Sequence, residues 1–190
     1  MPGQPTDYRQ YLVPDTDAGP NQWNATGVPH WAEIDEAWTA PDTADRINAL
    51  GAAIAGKAER FGFTLPNHEN LEGGFDQIIA GLYCWHTAGL GVNDIDLDLN
   101  LYVKGAWQGV QTVTVIVASE PNAIWYYATW SVYNCDVNDA DNILLNIKIG
   151  PNPGGAPYGG ADGIYVSTVY LRITGQAILT TAQAKNSSFF

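Results

Sequence analysis

The sequence predicts an all-β protein, a jelly-roll-like antiparallel β-sandwich with an extended N-terminal arm. Many short stretches alternate apolar and polar residues, as strands with one buried face do. Turn-forming residues separate them, with 20 Gly and 11 Pro among the 190 residues. About seven or eight such strands with little convincing helix are typical of a sandwich or jelly roll rather than an α/β fold.

The composition sets limits on size and on partners. An apolar content of 46% over 190 residues is enough for one domain with a real core. A net charge of −12 with only 8 Lys and Arg excludes nucleic-acid binding, which needs clustered cations, and disfavours an anionic membrane surface. No stretch approaches the ~20 apolar residues that span a bilayer. The first residues also lack a secretory signal pattern, so we expect synthesis in a cytoplasm.

The chain is expected to divide into three parts. Residues 1–30 contain five prolines and little apolar periodicity, which predicts an extended arm that lies across a neighbouring subunit. Residues 31–175 form the sandwich, and residues 176–190 form a tail. Residues 43–60 fit either a short helix or a strand–loop–strand. From Phe61 onward the stretches are β-rich: RFGFTLP, FDQIIAGLYCWHTAG, NDIDLDLNLYV, VQTVTVIVAS, AIWYYATWSVYN, NILLNIKIG and GIYVSTVYLRITG.

One strand has a strongly acidic face. Within residues 93–103 the polar side chains share one parity and the apolar ones the other; the polar set is Asp94, Asp96, Asp98 and Asn100. The spacing matches the first ligands of an EF-hand, but the Gly and Glu required later are replaced by Leu99 and Gly105. Carboxylates at i and i+2 lie roughly 6.5–7 Å apart on a strand. We therefore expect a face turned to water or to a partner, rather than a metal site.

Other polar clusters were considered for metal or catalytic roles. Asp136, Asp139 and Asp141 lie in a predicted loop, where either calcium binding or ordinary turn preference explains them. Acidic residues near the first tryptophans suit glycoside hydrolysis in principle, but such runs are usually solvated surface; they are Glu33, Asp35, Glu36, Asp42 and Asp45. We predict no catalytic, cofactor-binding or metal residues, and no cofactor.

The histidines and cysteines carry no recognisable motif. His30, His68 and His86 are far apart in sequence, and His86 is expected to be a partly buried packing residue. Cys84 and Cys135 allow one disulfide, but two buried thiols are favoured in a chain made without a secretory signal.

The aromatic residues suggest either a core and an interface or a sugar-binding platform. In AIWYYATWSVYN both faces of the strand are apolar, which predicts burial by the second sheet on one side and by a subunit or arm on the other. Exposed rings on a β-sandwich can instead stack on the apolar C–H faces of sugars. The residues considered for that platform are Trp107, Tyr126, Trp130 and Tyr158.

Several segments resemble β-sandwich domains of tailed-phage structural proteins. They are YLVPDTDAGPNQWNATG, HWAEIDE, PDTADRI, ATWSVYN, NILLNIKIG and GGADGIYVSTVYLRI, and the resemblance spans residues 11–175. One departure is Arg46, where that pattern has Tyr before Ile. The resemblance implies a non-enzymatic virion component, such as a capsid decoration, head-fibre or tail-associated protein, that associates with itself and with other virion proteins. The alternative is a carbohydrate-binding or host-adhesion module, either calcium-dependent or calcium-independent.

Overall fold

The protein is a sandwich of two antiparallel sheets, as predicted. The computed structural model describes residues 7–25, 29–41, 43–64, 75–87, 94–116, 123–135 and 142–176. The strands are β1 (Asp7–Leu12), β2 (Thr16–Asn21), β3 (Asn24–Ala25), β4 (Ile47–Leu50), β5 (Ala58–Phe63), β6 (Phe75–Thr87), β7 (Ile95–Val103), β8 (Ala106–Val115), β9 (Ile124–Cys135), β10 (Ile143–Ile149) and β11 (Gly163–Gln176). Over these ranges the one helical element is a 3-10 turn at His30–Glu33, and no helix long and apolar enough to cross a membrane occurs.

The two sheets differ in size. The six-stranded sheet has the order β3-β4-β11-β6-β9, with β1 pairing β11 beyond the end of β4. The five-stranded sheet has the order β2-β5-β10-β7-β8. Neighbouring strands are mostly distant in sequence, so the fold depends on long-range pairing rather than on consecutive hairpins.

The core lies between the sheets and is built by the predicted alternation. On β7 the apolar residues Ile95, Leu97, Leu99 and Leu101 are fully buried, while the residues between them are half-buried on the outer face. Burying each such side chain contributes roughly 1.5–3 kcal/mol. The sheets are also tied at one edge, where the Trp130 indole N–H donates to the Gly109 carbonyl over 3.2 Å.

The structure differs from the expected N-terminal arm over residues 7–25. In this range β1 pairs with β11, β2 with β5 and β3 with β4, all within the same chain. Leu12 is buried in the core. Prolines interrupt these strands without preventing them, because Pro14 lies between strands and Pro20 near the end of an edge strand. Most of the expected arm is therefore part of the sandwich.

Residues 43–60 adopt the strand–loop–strand alternative. β4 and β5 belong to different sheets, and the connection turns through Gly51 and Gly56, whose φ angles are +92° and +81°. These left-handed conformations suit glycine and break a helix. The two glycines thus form the turns that exclude the helix alternative for residues 43–60.

The two cysteines cannot form a disulfide. Cys84 is a free, buried thiol, as predicted, and burial raises its pKa. On β6 it lies opposite Ile124, whereas Cys135 lies opposite Phe75, at the other end of the same strand pair. The separation along the strand is about 30 Å, far beyond the reach of a disulfide.

Candidate functional site

The outer face of the six-stranded sheet carries an open groove lined mainly by aromatic side chains. Its volume is about 620 Å³. We call it the aromatic groove; it is lined by Tyr11, Trp38, Thr39, Ile79, Trp125, Tyr127, Thr129, Tyr170 and Arg172. Strands β1, β11, β6 and β9 supply seven of these residues, and the loop that follows the 3-10 turn supplies Trp38 and Thr39.

A stacked pair of rings forms one wall of the groove. Trp38 and Tyr11 have ring centroids 4.4 Å apart and planes 12° from parallel. Both rings contact Tyr170, at centroid distances of 6.1 and 5.6 Å. Trp38 remains 38% exposed, so a flat apolar surface faces solvent here.

A second pair of rings stands on β9. Trp125 and Tyr127 have centroids 6.3 Å apart and planes within 19° of parallel. Trp125 meets Tyr170 edge-on at 5.3 Å, a favourable geometry for aromatic rings. Tyr127 is 55% exposed, the largest exposed fraction among the aromatic residues of the groove.

Tyr170 forms the floor between the two walls, and Gly81 makes room for it. Tyr170 lies opposite Gly81 in the β11–β6 register, and a Cβ added at Gly81 would collide with the Tyr170 ring. Burial, together with the neighbouring Tyr127 hydroxyl to which it hydrogen-bonds, raises the pKa of Tyr170 to about 12. The hydroxyl therefore stays protonated and uncharged at neutral pH.

The loop that carries Trp38 is fixed to both sheets. At its start, the backbone N–H groups of His30 and Trp31 donate to the Asp17 carboxylate, each over 2.9 Å. Further along, the Val169 N–H donates to the Ile34 carbonyl over 3.1 Å, and the Thr168 hydroxyl donates to Glu36 over 3.3 Å. These contacts hold Trp38 above the sheet, so this wall is built before any ligand arrives.

A buried acid strengthens the same anchor. Glu59 on β5 is inaccessible to solvent; its carboxylate accepts from the Trp23 N–H and lies 3.2 Å from the His30 imidazole. Burial raises the Glu59 pKa, while those two neighbours act to lower it. The pair ties the 3-10 turn to β5 below the sheet surface, outside the groove.

Beyond the groove, the outer face is covered rather than open. Trp85 and Tyr165 stack with centroids 5.1 Å apart and planes 3° from parallel. The Arg46 guanidinium carbon lies 5.6 and 5.4 Å from these two rings, a cation–π arrangement. Trp85 is almost fully buried. Arg46, the departure from the resembled pattern, therefore helps to cover this end of the sheet.

The predicted acidic strand is confirmed as two-faced, and its acids are paired with β8. The Thr114 and Thr112 hydroxyls donate to Asp96 and Asp98, each over 2.7 Å. These contacts lie on the outer face of the five-stranded sheet, away from the aromatic groove. No cluster of three or more potential metal-ligating His, Cys, Asp or Glu side chains occurs within the described ranges.

The platform residues considered from the sequence are not assembled by the structure. Trp130 and Tyr158 are 2% exposed and belong to the core, and Tyr126 is half-buried against it, because all three point inward. Trp107 is 60% exposed, but it lies on β8 of the other sheet, where its indole N–H donates to Asn100 over 3.3 Å. The prediction that these residues form a sugar-binding platform was therefore wrong.

The remaining candidates do not converge on the groove. Glu33 ends the 3-10 turn, and Asp35, Glu36 and Asp45 lie on the loop between it and β4; none of them lines the groove. His86 is fully buried between the sheets, deeper than predicted, and neither ring nitrogen has a hydrogen-bond partner. Five other candidates lie outside the described residues: Asp42, His68, Asp136, Asp139 and Asp141.

A register shift explains why the groove was hard to see in the sequence. Trp125 and Tyr127 share a parity on β9, which is a usable signal. On β11, however, a bulge between Val166 and Thr168 puts Tyr165 and Tyr170 on the same face, although their parities differ. Tyr11 falls in the predicted arm and Trp38 in a loop, where periodicity says nothing about side-chain direction.

The similarities of this chain to known proteins are distant. No protein-family model and no curated protein matches the sequence. Similar solved structures include a xylan-binding module, CBM15 (14% identity, TM-score 0.46, covering 88% of this chain and 98% of that one). Another is the CBM22-1 xylan-binding domain of Xyn10C from Paenibacillus barcinonensis (11%, 0.38, 83% and 84%). A third is TmCBM61 with bound β-1,4-galactotriose (11%, 0.34, 80% and 88%). These values are too low to assign a ligand to this chain.

Proposed function

We propose that the protein is a non-catalytic carbohydrate-binding module whose site is the aromatic groove. The observation that carries the proposal is the pair of flat walls, Trp38 on Tyr11 and Trp125 beside Tyr127, partly exposed on one sheet face. Pyranose rings present apolar C–H faces flanked by hydroxyls, and Trp and Tyr offer flat apolar surfaces with a polar edge. Binding sites in proteins are typically concave and mostly apolar, with a few polar groups, as this groove is.

The side chains of the groove favour binding over hydrolysis. Glycoside hydrolysis generally uses two carboxylic acids on either side of the scissile bond. The described residues that line the groove contain neither Asp nor Glu. These residues instead provide aromatic stacking surface, two Thr hydroxyls, the indole N–H and phenol O–H groups of Trp and Tyr, and one guanidinium.

The proposal is tested by titrating the protein with a panel of soluble polysaccharides in affinity gel electrophoresis and calorimetry. We expect at least one glycan to bind and Trp38→Ala to weaken that binding by at least about tenfold, as removal of a central aromatic contact does. Trp107→Ala is the matched control, since this exposed tryptophan lies on the other sheet. Equal losses for both variants, or binding to no glycan, would contradict the proposal.

The predicted role in a phage particle remains a prediction, as do the virion location and the association with copies of itself or other virion proteins. A partner subunit is the competing occupant of the exposed rings, because large exposed apolar patches often mark interfaces. Sedimentation equilibrium distinguishes a partner subunit from a glycan as the occupant of these rings. A stable oligomer that Tyr127→Ala converts to monomers would favour the interface, whereas a monomer with an accessible groove favours the glycan.

A further inference from the structure

Arg172 is the one charged residue among the described residues that line the groove. It lies on β11, opposite Tyr11 on one side and Ile79 on the other. The groove therefore carries a positive charge at its centre, although the whole chain has a net charge of −12.

The Arg172 guanidinium has an unpaired donor. Its Nε is buried and has no hydrogen-bond partner, and no carboxylate lies within ion-pair distance of it among the described residues. The nearby Tyr170 hydroxyl is uncharged at neutral pH, so it does not neutralise the cation. The side chain as a whole is only half-buried and lines the groove, so a ligand oxygen there can accept hydrogen bonds from its accessible part.

We infer that the groove selects glycans that carry isolated carboxylates on an otherwise neutral chain, with Arg172 binding the carboxylate. The inference rests on the proposed carbohydrate binding and names its ligand class. A guanidinium presents N–H donors in a planar fork that matches a carboxylate, and these charge-assisted hydrogen bonds are stronger than those to neutral hydroxyls. The flanking rings of Tyr11 and Trp38 stack on the neutral sugars.

The net charge narrows the ligand class further. At −12 the protein repels a densely charged polyanion at long range, and the acidic outer face of the five-stranded sheet adds to that field. One carboxylate at Arg172 is attracted over a short distance, whereas its neighbours along a polyuronate have no cation to meet in the described groove. We therefore expect sparse substitution to be preferred over a continuous polyuronate.

The test uses a glucuronic-acid-substituted xylan, the same polymer after chemical reduction of its carboxyl groups, and polygalacturonate. For the unmodified protein we expect the acidic xylan to bind about tenfold or more tightly than its reduced form, and polygalacturonate to bind weakly. Raising the ionic strength should shrink the preference. Arg172→Gln should abolish the preference, so that the two polymers bind with equal affinity, and Arg172→Lys should retain part of it.

The outcomes separate this inference from the proposed function. Equal binding of both xylans by the unmodified protein, or a preference that survives Arg172→Gln, overturns the role of Arg172 but leaves a glycan site. Tighter binding of polygalacturonate overturns the preference for isolated carboxylates. Binding of no glycan by the unmodified protein contradicts the proposed function itself. Near-ultraviolet circular dichroism of each variant verifies that it is folded.

Discussion

The outer faces of the two sheets are built by the same alternation but serve different ends. On the five-stranded sheet, two acids on β7 accept hydrogen bonds from threonines on the neighbouring strand β8. On the six-stranded sheet, aromatic rings from three strands and one loop surround an open groove that also contains Arg172. The comparison teaches that side chains paired across neighbouring strands close a sheet face, whereas rings arranged around open space leave a face accessible to a ligand.

The largest effect should come from removing one wall of the groove. Trp125→Ala combined with Tyr127→Ala deletes the two β9 rings that line the groove. Each removed hot-spot contact typically costs ~2 kcal/mol or more of binding free energy. We expect glycan affinity to fall by at least about a hundredfold. Calorimetric titration measures it. The other sheet provides the control, Asp96→Ala with Asp98→Ala, which should change affinity by less than about twofold; a comparable loss there would erase the distinction between the faces.

A smaller loss is expected from a single methyl group in the groove floor. Gly81→Ala places a Cβ against the Tyr170 ring, which must tilt away and disturb the rings that contact it. We expect about tenfold weaker glycan binding. Gly62→Ala is the matched control, because its added Cβ would collide with the Thr16 side chain in the five-stranded sheet instead. Unchanged affinity in Gly81→Ala would show that the position of Tyr170 does not matter.

His86, buried between the two sheets, should make the free energy of unfolding decrease at acidic pH. Burial lowers the His86 pKa below its usual 6.5, so the unfolded chain binds a proton at a higher pH than the folded one. The stabilising contribution of neutral His86 is present above pH 6.5 and is lost as the pH falls towards its lowered pKa. Urea unfolding from pH 7.5 to 5 should therefore show a decline that His86→Leu reduces.

Comparing the unmodified protein with His86→Leu also removes the contribution of Glu59 to the pH dependence of stability. The raised Glu59 pKa has the opposite sign: the folded state is favoured as the pH falls through that pKa. Both proteins contain Glu59. The pH dependence of the difference between their unfolding free energies therefore reflects the protonation of His86. A difference in unfolding free energy that is constant with pH would show that the histidine is not held neutral.

The smallest effect is expected from the paired polar face. Thr112→Val removes the 2.7 Å hydrogen bond to Asp98 at an exposed position. A net hydrogen bond contributes about 0.5–1.5 kcal/mol, and exposure places this one at the low end. Urea denaturation should show that small loss, with glycan affinity unchanged. A change in affinity would indicate that this face also contacts the ligand.

The strands could be predicted most directly where burial imposes a period of two, as along β7 and at the end of β8. The direction of Trp125 and Tyr127 followed from the same period. Three features could not be predicted: the bulge that turns Tyr170 outward, the loop contacts that place Trp38, and the pairing of β1 with β11 that brings in Tyr11. Each depends on residues far apart in the chain, about which local alternation carries no information.

The ligand site is tested most directly by following the indole N–H signals of the seven tryptophans by ¹⁵N NMR during a glycan titration. Single Trp→Phe variants assign the signals. The account predicts that Trp38 and Trp125 shift and saturate together, while Trp107 on the other sheet stays in place. A titration that moves Trp107 and leaves the two groove signals unchanged would contradict it.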